Sequence, residues 1–474
     1  MPKAAKAALW FTCCGFLLKG LGFITGPIFT RLLPPEEYGL VTLYVTYEQI
    51  ILILATWEIH VGAYQRGLFK FEGSHDQYSQ STLLLVNLLT ILFFGVIALF
   101  YRPVSDFTQM SSLTWTLMFF YVMTNPAYMC WMTRKRKQYD YKAVVPLTIF
   151  TSVSSIVVAI VAILVVGHTG KVRFNSLILY STLIYLYFYI KTLFPKGVKP
   201  KWKEMKAQWA FMLAYEAPLV LHSLSYLVLG QADRVMIGKM VGNSEAAFYG
   251  VAYTLASTVT LLQSSINEAL VPWRYEKLRE GSYEKVGKTT NMLLILFGAA
   301  ILGIVLIAPE IMKLLFPSSY YEAVWCIPPV TISIFFMFLY SSFVAVESYY
   351  EKTKYIMYVS VFCGLVNIGL NYLLIPLFGY VICGYTTLFS YILFAVLHYF
   401  CMRIVCKNAI SGAKIFSMST IVVISIGVIL CSVLFTLLYP FWIARLAIIV
   451  TMLVVGWIKK ALIIEIFSIM KKRS

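Results

Sequence analysis

"RLLPPEEYGLVTLY" occupies residues 31–44, and "KMVGNSEAAFYGVAYTL" occupies residues 239–255. Each follows a long apolar run, passes through an acidic turn and opens the next run at a Tyr-Gly pair. Tyr38-Gly39 and Tyr249-Gly250 lie 211 residues apart. A second set agrees: Lys142 and Lys354 each precede an apolar run, and Gly167 and Gly379 each close it, all at an offset of 212. Four matches at nearly one offset predict an internal duplication.

The surrounding chain decides what is duplicated. It has 474 residues, 60% hydrophobic and 13% charged, with a mean hydropathy of +0.79. A soluble protein would carry roughly 25% charged residues. Fourteen apolar runs are read, at about 8–30, 39–63, 81–101, 113–132, 143–166, 175–194, 209–230, 246–270, 291–312, 324–346, 356–376, 380–401, 415–438 and 441–460. About 20 apolar residues span a bilayer as a helix. Lipid offers the backbone no partner but its own chain, so continuous runs predict helices. The expectation is an all-α integral membrane protein of about 14 transmembrane helices.

The net charge of +18 is distributed by side rather than gathered into a patch. With the N-terminus in the cytoplasm, inner segments hold 30 Lys and Arg, outer loops and helix ends hold 8, and Lys19 is the remaining one. That is the positive-inside pattern, and it places both termini in the cytoplasm. "TRKRKQYDYK" (133–142) and "KTLFPKGVKPKWKEMK" (191–206) then read as topology signals that also touch anionic lipid, not as nucleic-acid contacts. The short basic start leads into a run too long for a signal-peptide core, which is expected to stay as a helix. The nine cysteines fall mostly inside predicted helices and read as small buried hydrophobes.

The offset corresponds to six helices. An even number preserves orientation, so the repeats are parallel, related by an axis along the membrane normal. The predicted organisation is an N-terminal six-helix lobe at 1–195, a basic cytoplasmic linker at 196–206, a C-terminal six-helix lobe at 207–405, and two extra helices with a basic tail at 406–474. Paired lobes that open alternately to either side are a transporter's architecture. The sequence lacks a phosphate-binding G-x-x-x-x-G-K-[ST] loop, an H-E-x-x-H motif and a C-x-x-C pair. No catalytic or metal-ligating residues are predicted.

Ionisable residues inside membrane helices cost about 2.5–3.5 kcal/mol on insertion scales, so each is a functional candidate. Lys19 lies near the middle of the first run, roughly 16 Å from either end at 1.5 Å per residue. Its side chain is too short to reach the interface, so it either faces a cavity or pairs with an acid. Glu48, on the second run, is its expected partner in depth. Glu58 lies further along, and that run ends near His60 and Arg66. The seventh run carries Glu216 and His222, a proline at Pro218 expected to bend it, and Asp233-Arg234 at its outer end. Glu268 closes the eighth. Asn125, Asn367 and Asn371 are expected to hydrogen-bond across helices. Glu48, Glu58 and Glu216 are the candidates for binding a coupling H⁺ or Na⁺; no other cofactor is expected.

Four stretches carry a family resemblance. "FITGPIFTRLLPPEEYGLVTLY" (23–44) and "APLVLHSLSYLVLGQADRVMIGKMVGNSEAAFYGVAYTL" (217–255) resemble the first- and seventh-helix signatures of the polysaccharide-type flippases. These belong to the multidrug, oligosaccharidyl-lipid and polysaccharide exporter superfamily. "LFPSSYYEAVWCIPPV" (315–330) and "VNIGLNYLLIPLFGYVICGYTTLFSY" (366–391) are similar to later signatures. The resemblance implies a MATE-like, V-shaped fold of two pseudo-symmetric six-helix lobes plus two C-terminal helices. It implies transport of an undecaprenyl-diphosphate-linked oligosaccharide from the inner to the outer leaflet of a bacterial cytoplasmic membrane. Partners would be that lipid-linked oligosaccharide, membrane lipids, and the glycosyltransferases and glycan polymerase acting before and after it. Lys19 and Arg31 fall where such proteins keep cavity cations; Glu48, Arg66, Asp233 and Arg234 complete the candidate substrate-binding set. The lipid II branch has several arginines along its first two helices, whereas here the first helix has Lys19 inside and Arg31 at its end. The competing readings are a multidrug/cation antiporter, a lipid II flippase and, from another class, a membrane glycosyltransferase or ligase.

Overall fold

The computed structural model describes residues 3–197 and 201–458, with a few side chains inside helices, those of Lys19, Pro218, His222 and Glu268 among them, outside the described residues. The described residues form helices without a strand. In chain order they are α1 (Lys3–Leu32), α2 (Pro35–Thr56), α3 (Gly62–Lys70), α4 (His75–Leu99), α5 (Tyr101–Thr108), α6 (Ser112–Lys137), α7 (Tyr141–Val166) and α8 (Gly170–Leu193). There follow α9 (Trp202–Met240), α10 (Asn243–Arg279), α11 (Tyr283–Leu315), a 3-10 segment (Ser318–Cys326), α12 (Ile327–Tyr349), α13 (Thr353–Phe378), α14 (Ile382–Ala409), α15 (Met418–Leu437) and α16 (Trp442–Ile458).

All but the short α3 and α5 correspond, in order, to the fourteen apolar runs. Among the described residues, ten spans are long and apolar enough to cross a membrane, or eleven with the bent α9 as one. The helices α6 and α10 fall short because they are studded with Thr, Asn, Ser and Gln, and α16 has only 17 residues. Local signals set the ends. Asp140 accepts from the Ala143 N–H at the start of α7, and Thr169 from the Val172 N–H at the start of α8, each at 3.3 Å, so hydroxyl and carboxylate groups satisfy otherwise orphaned donors.

The chain divides by contact into two compact units, Met1–Gly238 and Lys239–Ser474. Most of α9 therefore groups with the first unit. Within that unit α2 packs on α4 and α6, α4 on α6, α6 on α7 and α8, and α7 on α8. Within the second, α10 packs on α11 and α12, α11 on α12, α12 on α13 and α14, and α13 on α14. These are the same neighbours six helices later. The match reaches single residues: α7 and α13 both have 26 residues, carry Lys142 and Lys354 at their second position and end at Gly167 and Gly379. Both glycines have positive φ, 151° and 71°, where a side chain would be strained.

The core of the second unit is α12. Phe335, Phe338 and Phe343 are fully buried, and Phe338 packs on Phe297 of α11 with ring centroids 5.0 Å apart. The two extra helices lie on α11: Arg445 of α16 donates to the Leu306 carbonyl at 2.9 Å and pairs with Glu310. Arg445, counted from sequence with the outer loops and helix ends, is buried. Two further expectations are corrected. The second run does not continue as helix to 63, because α2 ends at Thr56. The bend in α9, 53°, falls between Trp202–Ser225 and Gly230–Met240, beyond Pro218.

Candidate functional site

The α2–α3 break is built from "TWEIHVGA" (56–63). Trp57 and Glu58 are both left-handed, at φ 51°, which costs about 1–2 kcal/mol per residue. Something must hold them there. Glu216, buried on α9, accepts the Ala63 N–H at the first turn of α3. A Cβ on Gly62 would collide with the Glu216 Oε1 atom, so only glycine admits the carboxylate. An anion at a helix N-terminus is favoured by the aligned backbone dipoles. Glu58 stands close enough for its charge to oppose that of Glu216. The same face of α9 binds α4: the Trp209 indole donates to the Ser81 carbonyl at 2.9 Å, and Gln77 donates to Glu204 at 2.7 Å. At the solvated start of α9, Gln77 and Lys201 hold the Glu204 carboxyl below its ordinary range. Two expected coupling-ion residues, Glu58 and Glu216, are thus brought together, with Glu216 serving as the cap of α3.

Glu48 stands apart from them. It faces the Tyr121 hydroxyl of α6, with Tyr185 of α8 near it. Asn125 donates to Tyr121 Oη at 3.3 Å, within α6 rather than across helices as expected. At the next residue of α2, Gln231 of α9 donates to Gln49 at 3.3 Å. This polar group lines α2, α6 and α9 inside the first unit. Lys19 belongs to α1, and its side chain lies outside the described residues. Arg31 is exposed and donates to its own helix at the Pro27 carbonyl, 3.0 Å. Arg66 is exposed on α3, Asp233 is buried on α9 and Arg234 is half-buried beside it.

The second unit contains groups that the sequence reading missed. Arg274 of α10 is 1% exposed. Its Nη2 donates to Ser342 Oγ of α12 at 2.8 Å, while Nε and Nη1 have no hydrogen-bond partner among the described residues. It was counted with the cytoplasmic charges because the apolar run ends near 270, yet α10 continues to Arg279. Asn267, two turns earlier on the same face, donates to Ser341 at 3.2 Å. That seven-residue spacing of polar groups was the available signal. Asn367 donates to Thr387 at 3.4 Å and Thr386 to Asn371, so these two asparagines do tie α13 to α14. Glu347 of α12 and His398 of α14 form a fully buried pair, Nδ1 lying 2.9 and 3.1 Å from the two carboxylate oxygens.

Chemically this is a set of buried charges and amides threaded through membrane helices. Among the described residues no group of three or more His, Cys, Asp or Glu stands together. A buried guanidinium with open donors suits an oxyanion.

The family model described as polysaccharide biosynthesis protein matches residues 4–278, and the MatE model matches residues 218–373. A Haemophilus influenzae protein described as Lsg locus putative protein 1 is 28% identical over 106 residues, 22% of this chain and 26% of that one. An uncharacterised membrane protein of Methanocaldococcus jannaschii is 26% identical over 171 residues, 36% of this chain and 40% of that one. The chain thus spans well under half the length of these relatives. Among solved structures, the lipid II flippase MurJ in an inward closed conformation superposes with a TM-score of 0.70 at 12% identity, over 96% of this chain and all of that one. An inward-facing multidrug resistance MATE family transporter of the MOP superfamily gives 0.60 at 14%, over 84% and 96%. The long family match carries one conclusion: the chain belongs to the family described as polysaccharide biosynthesis protein, with a fold shared with these two transporters.

Proposed function

We propose that this flippase moves an undecaprenyl-diphosphate-linked oligosaccharide, the repeat unit of a surface polysaccharide, from the inner to the outer leaflet of a bacterial cytoplasmic membrane. The observation that carries the reading is Arg274: a fully buried cation bound, among the described residues, only to a neutral hydroxyl, with two nitrogens open to an anion. A diphosphate meets that need. Lys19, mid-depth on α1, is the second cation proposed for it. The amides and hydroxyls of Gln49, Gln231, Asn125 and Tyr121 suit sugars. The polyprenyl chain stays in lipid while the two repeat-defined lobes, 1–195 and 207–405, rock between inward and outward states.

The membrane potential, negative inside, favours outward passage of an anion by about 2.3 kcal/mol per charge per 100 mV. The diphosphate charge therefore helps to drive its own export. Glycosyltransferases supply the lipid-linked saccharide on the cytoplasmic side, and a polymerase consumes it outside. Both termini lie in the cytoplasm in this scheme. Deleting the gene tests it: the lipid-linked saccharide that accumulates is the substrate, and its sugars identify the glycan. Accumulation of no such species would remove this reading.

A further inference from the structure

Glu347 and His398 are both completely buried, 51 residues apart in sequence, and they join the two helices at the heart of the second unit. Buried ionisable pairs in a membrane helix bundle are costly, and removing one partner of such a pair leaves an uncompensated charge. Their geometry fixes the protons. Nδ1 lies within hydrogen-bond distance of both carboxylate oxygens. With the carboxylate ionised, Nδ1 carries hydrogen and donates. The other nitrogen, Nε2, is buried and has no partner among the described residues. Its lone pair is unsatisfied among them.

The pair therefore has room for one more proton. In the form with neutral imidazole and carboxylate it carries one negative charge. One proton added at Nε2 gives imidazolium and carboxylate, with no net charge. The surroundings accept the cationic ring: Tyr340 of α12 stacks on it, centroids 5.8 Å apart, and an aromatic face stabilises a cation. Among the described residues, the other titratable group set towards the pair is Cys401 on α14. Sodium suits the site poorly. It needs a shell of oxygens, and both carboxylate oxygens already face an N–H donor.

The backbone links this site to the turn that follows α12. The Glu347 carbonyl accepts the Lys352 N–H at 2.9 Å, across a turn in which Glu351 is left-handed at φ 58°. That turn joins α12 to α13. We propose that Glu347 and His398 form a proton-binding site of the C-terminal unit, and that its loading resets the α12–α13 turn and couples proton movement to the transport cycle. The proposal deepens the flippase reading and rests on it for the transport step alone.

Two measurements on the full chain, reconstituted in lipid, test it. The first needs no substrate: hydrogen exchange of the peptides over residues 347–355, corrected for intrinsic rate, at about pH 6 and about pH 8. Wild type should change its protection by about threefold or more. Glu347→Gln and His398→Gln should abolish the change. The double variant Glu347→Gln with His398→Gln keeps a neutral hydrogen-bonded pair and guards against misfolding. A wild-type response that persists in a folded variant, or no response in wild type, overturns the proton site. The second is the initial rate of lipid-linked oligosaccharide translocation under an imposed pH gradient. It should respond to the gradient in wild type and not in Glu347→Gln. A pH-dependent exchange signal without translocation would overturn the substrate reading and leave the proton site standing. Translocation whose gradient response survives in Glu347→Gln would do the reverse.

Discussion

The Glu216 carboxylate on α9 accepts the backbone N–H of Ala63 at the start of α3, across 153 residues of sequence. One acid thus caps a helix that exists only because α2 stops at Thr56. Glu216→Ala should lower stability by about 1–2 kcal/mol through loss of the cap and an orphaned buried N–H. Gly62→Ala should cost about 1–3 kcal/mol, because its methyl group meets the carboxylate. Combined, the two should cost less than their sum, since each removes what the other disturbs. Thermal unfolding of the purified single and double variants measures this, and additive losses would show that the two residues act independently.

Topology gives the second expectation. Cysteines at Arg102 and Lys171, in a background without native cysteines, should react with an impermeant thiol reagent added outside intact cells. A cysteine at Arg136 should not. All three side chains are exposed. Gly170 is unsuitable as a probe because a Cβ there would strike the Glu37 backbone carbonyl. Reversed labelling would invert the proposed direction of transport.

Arg274 distinguishes function from packing. Leucine of similar bulk removes a desolvated charge that has no counter-ion among the described residues, so Arg274→Leu should leave folded yield unchanged or raise it. Transport per folded molecule should fall at least about tenfold, equivalent to a loss of about 1.4 kcal/mol or more of anion stabilisation. Arg274→Lys should retain part of the activity through its charge while losing the forked geometry. A folded Arg274→Leu protein with full transport would make the arginine a passive feature of α10.

For Lys19 the question is charge. Lys19→Arg should keep partial function. Lys19→Gln should lose most of it, a charge-assisted donor exceeding a neutral one by about 1–2 kcal/mol. Lys19→Glu should abolish it. Glu48 faces Tyr121, so Glu48→Gln keeps a hydrogen-bonding group there. If Lys19 served only Glu48, the double variant Lys19→Gln with Glu48→Gln would regain full transport, as measured by surface glycan per folded molecule.

Sequence reading succeeded where the information is local. Apolar length marks the spans, and the repeat is legible because Lys142 and Gly167 bound one helix as Lys354 and Gly379 bound another. It failed where one residue's role is set by a distant one. Nothing in "WEIHVGA" is polar enough to end a helix without Glu216. Glu347 and His398 stand 51 residues apart, and only the packing of α12 on α14 joins them. Arg274 was hidden by an apolar run that stops before its helix does.

Passage of a lipid-linked oligosaccharide can be followed with purified protein in liposomes loaded with an undecaprenyl-diphosphate oligosaccharide in one leaflet. A membrane-impermeant glycosidase or lectin added outside then reports the leaflet that the sugar occupies. The protein should move the sugar head between leaflets, an inside-negative potential should speed outward passage, and Arg274→Leu should suppress it. Equal rates with and without the protein, across lipid-linked saccharides of the host's own glycans, would contradict it.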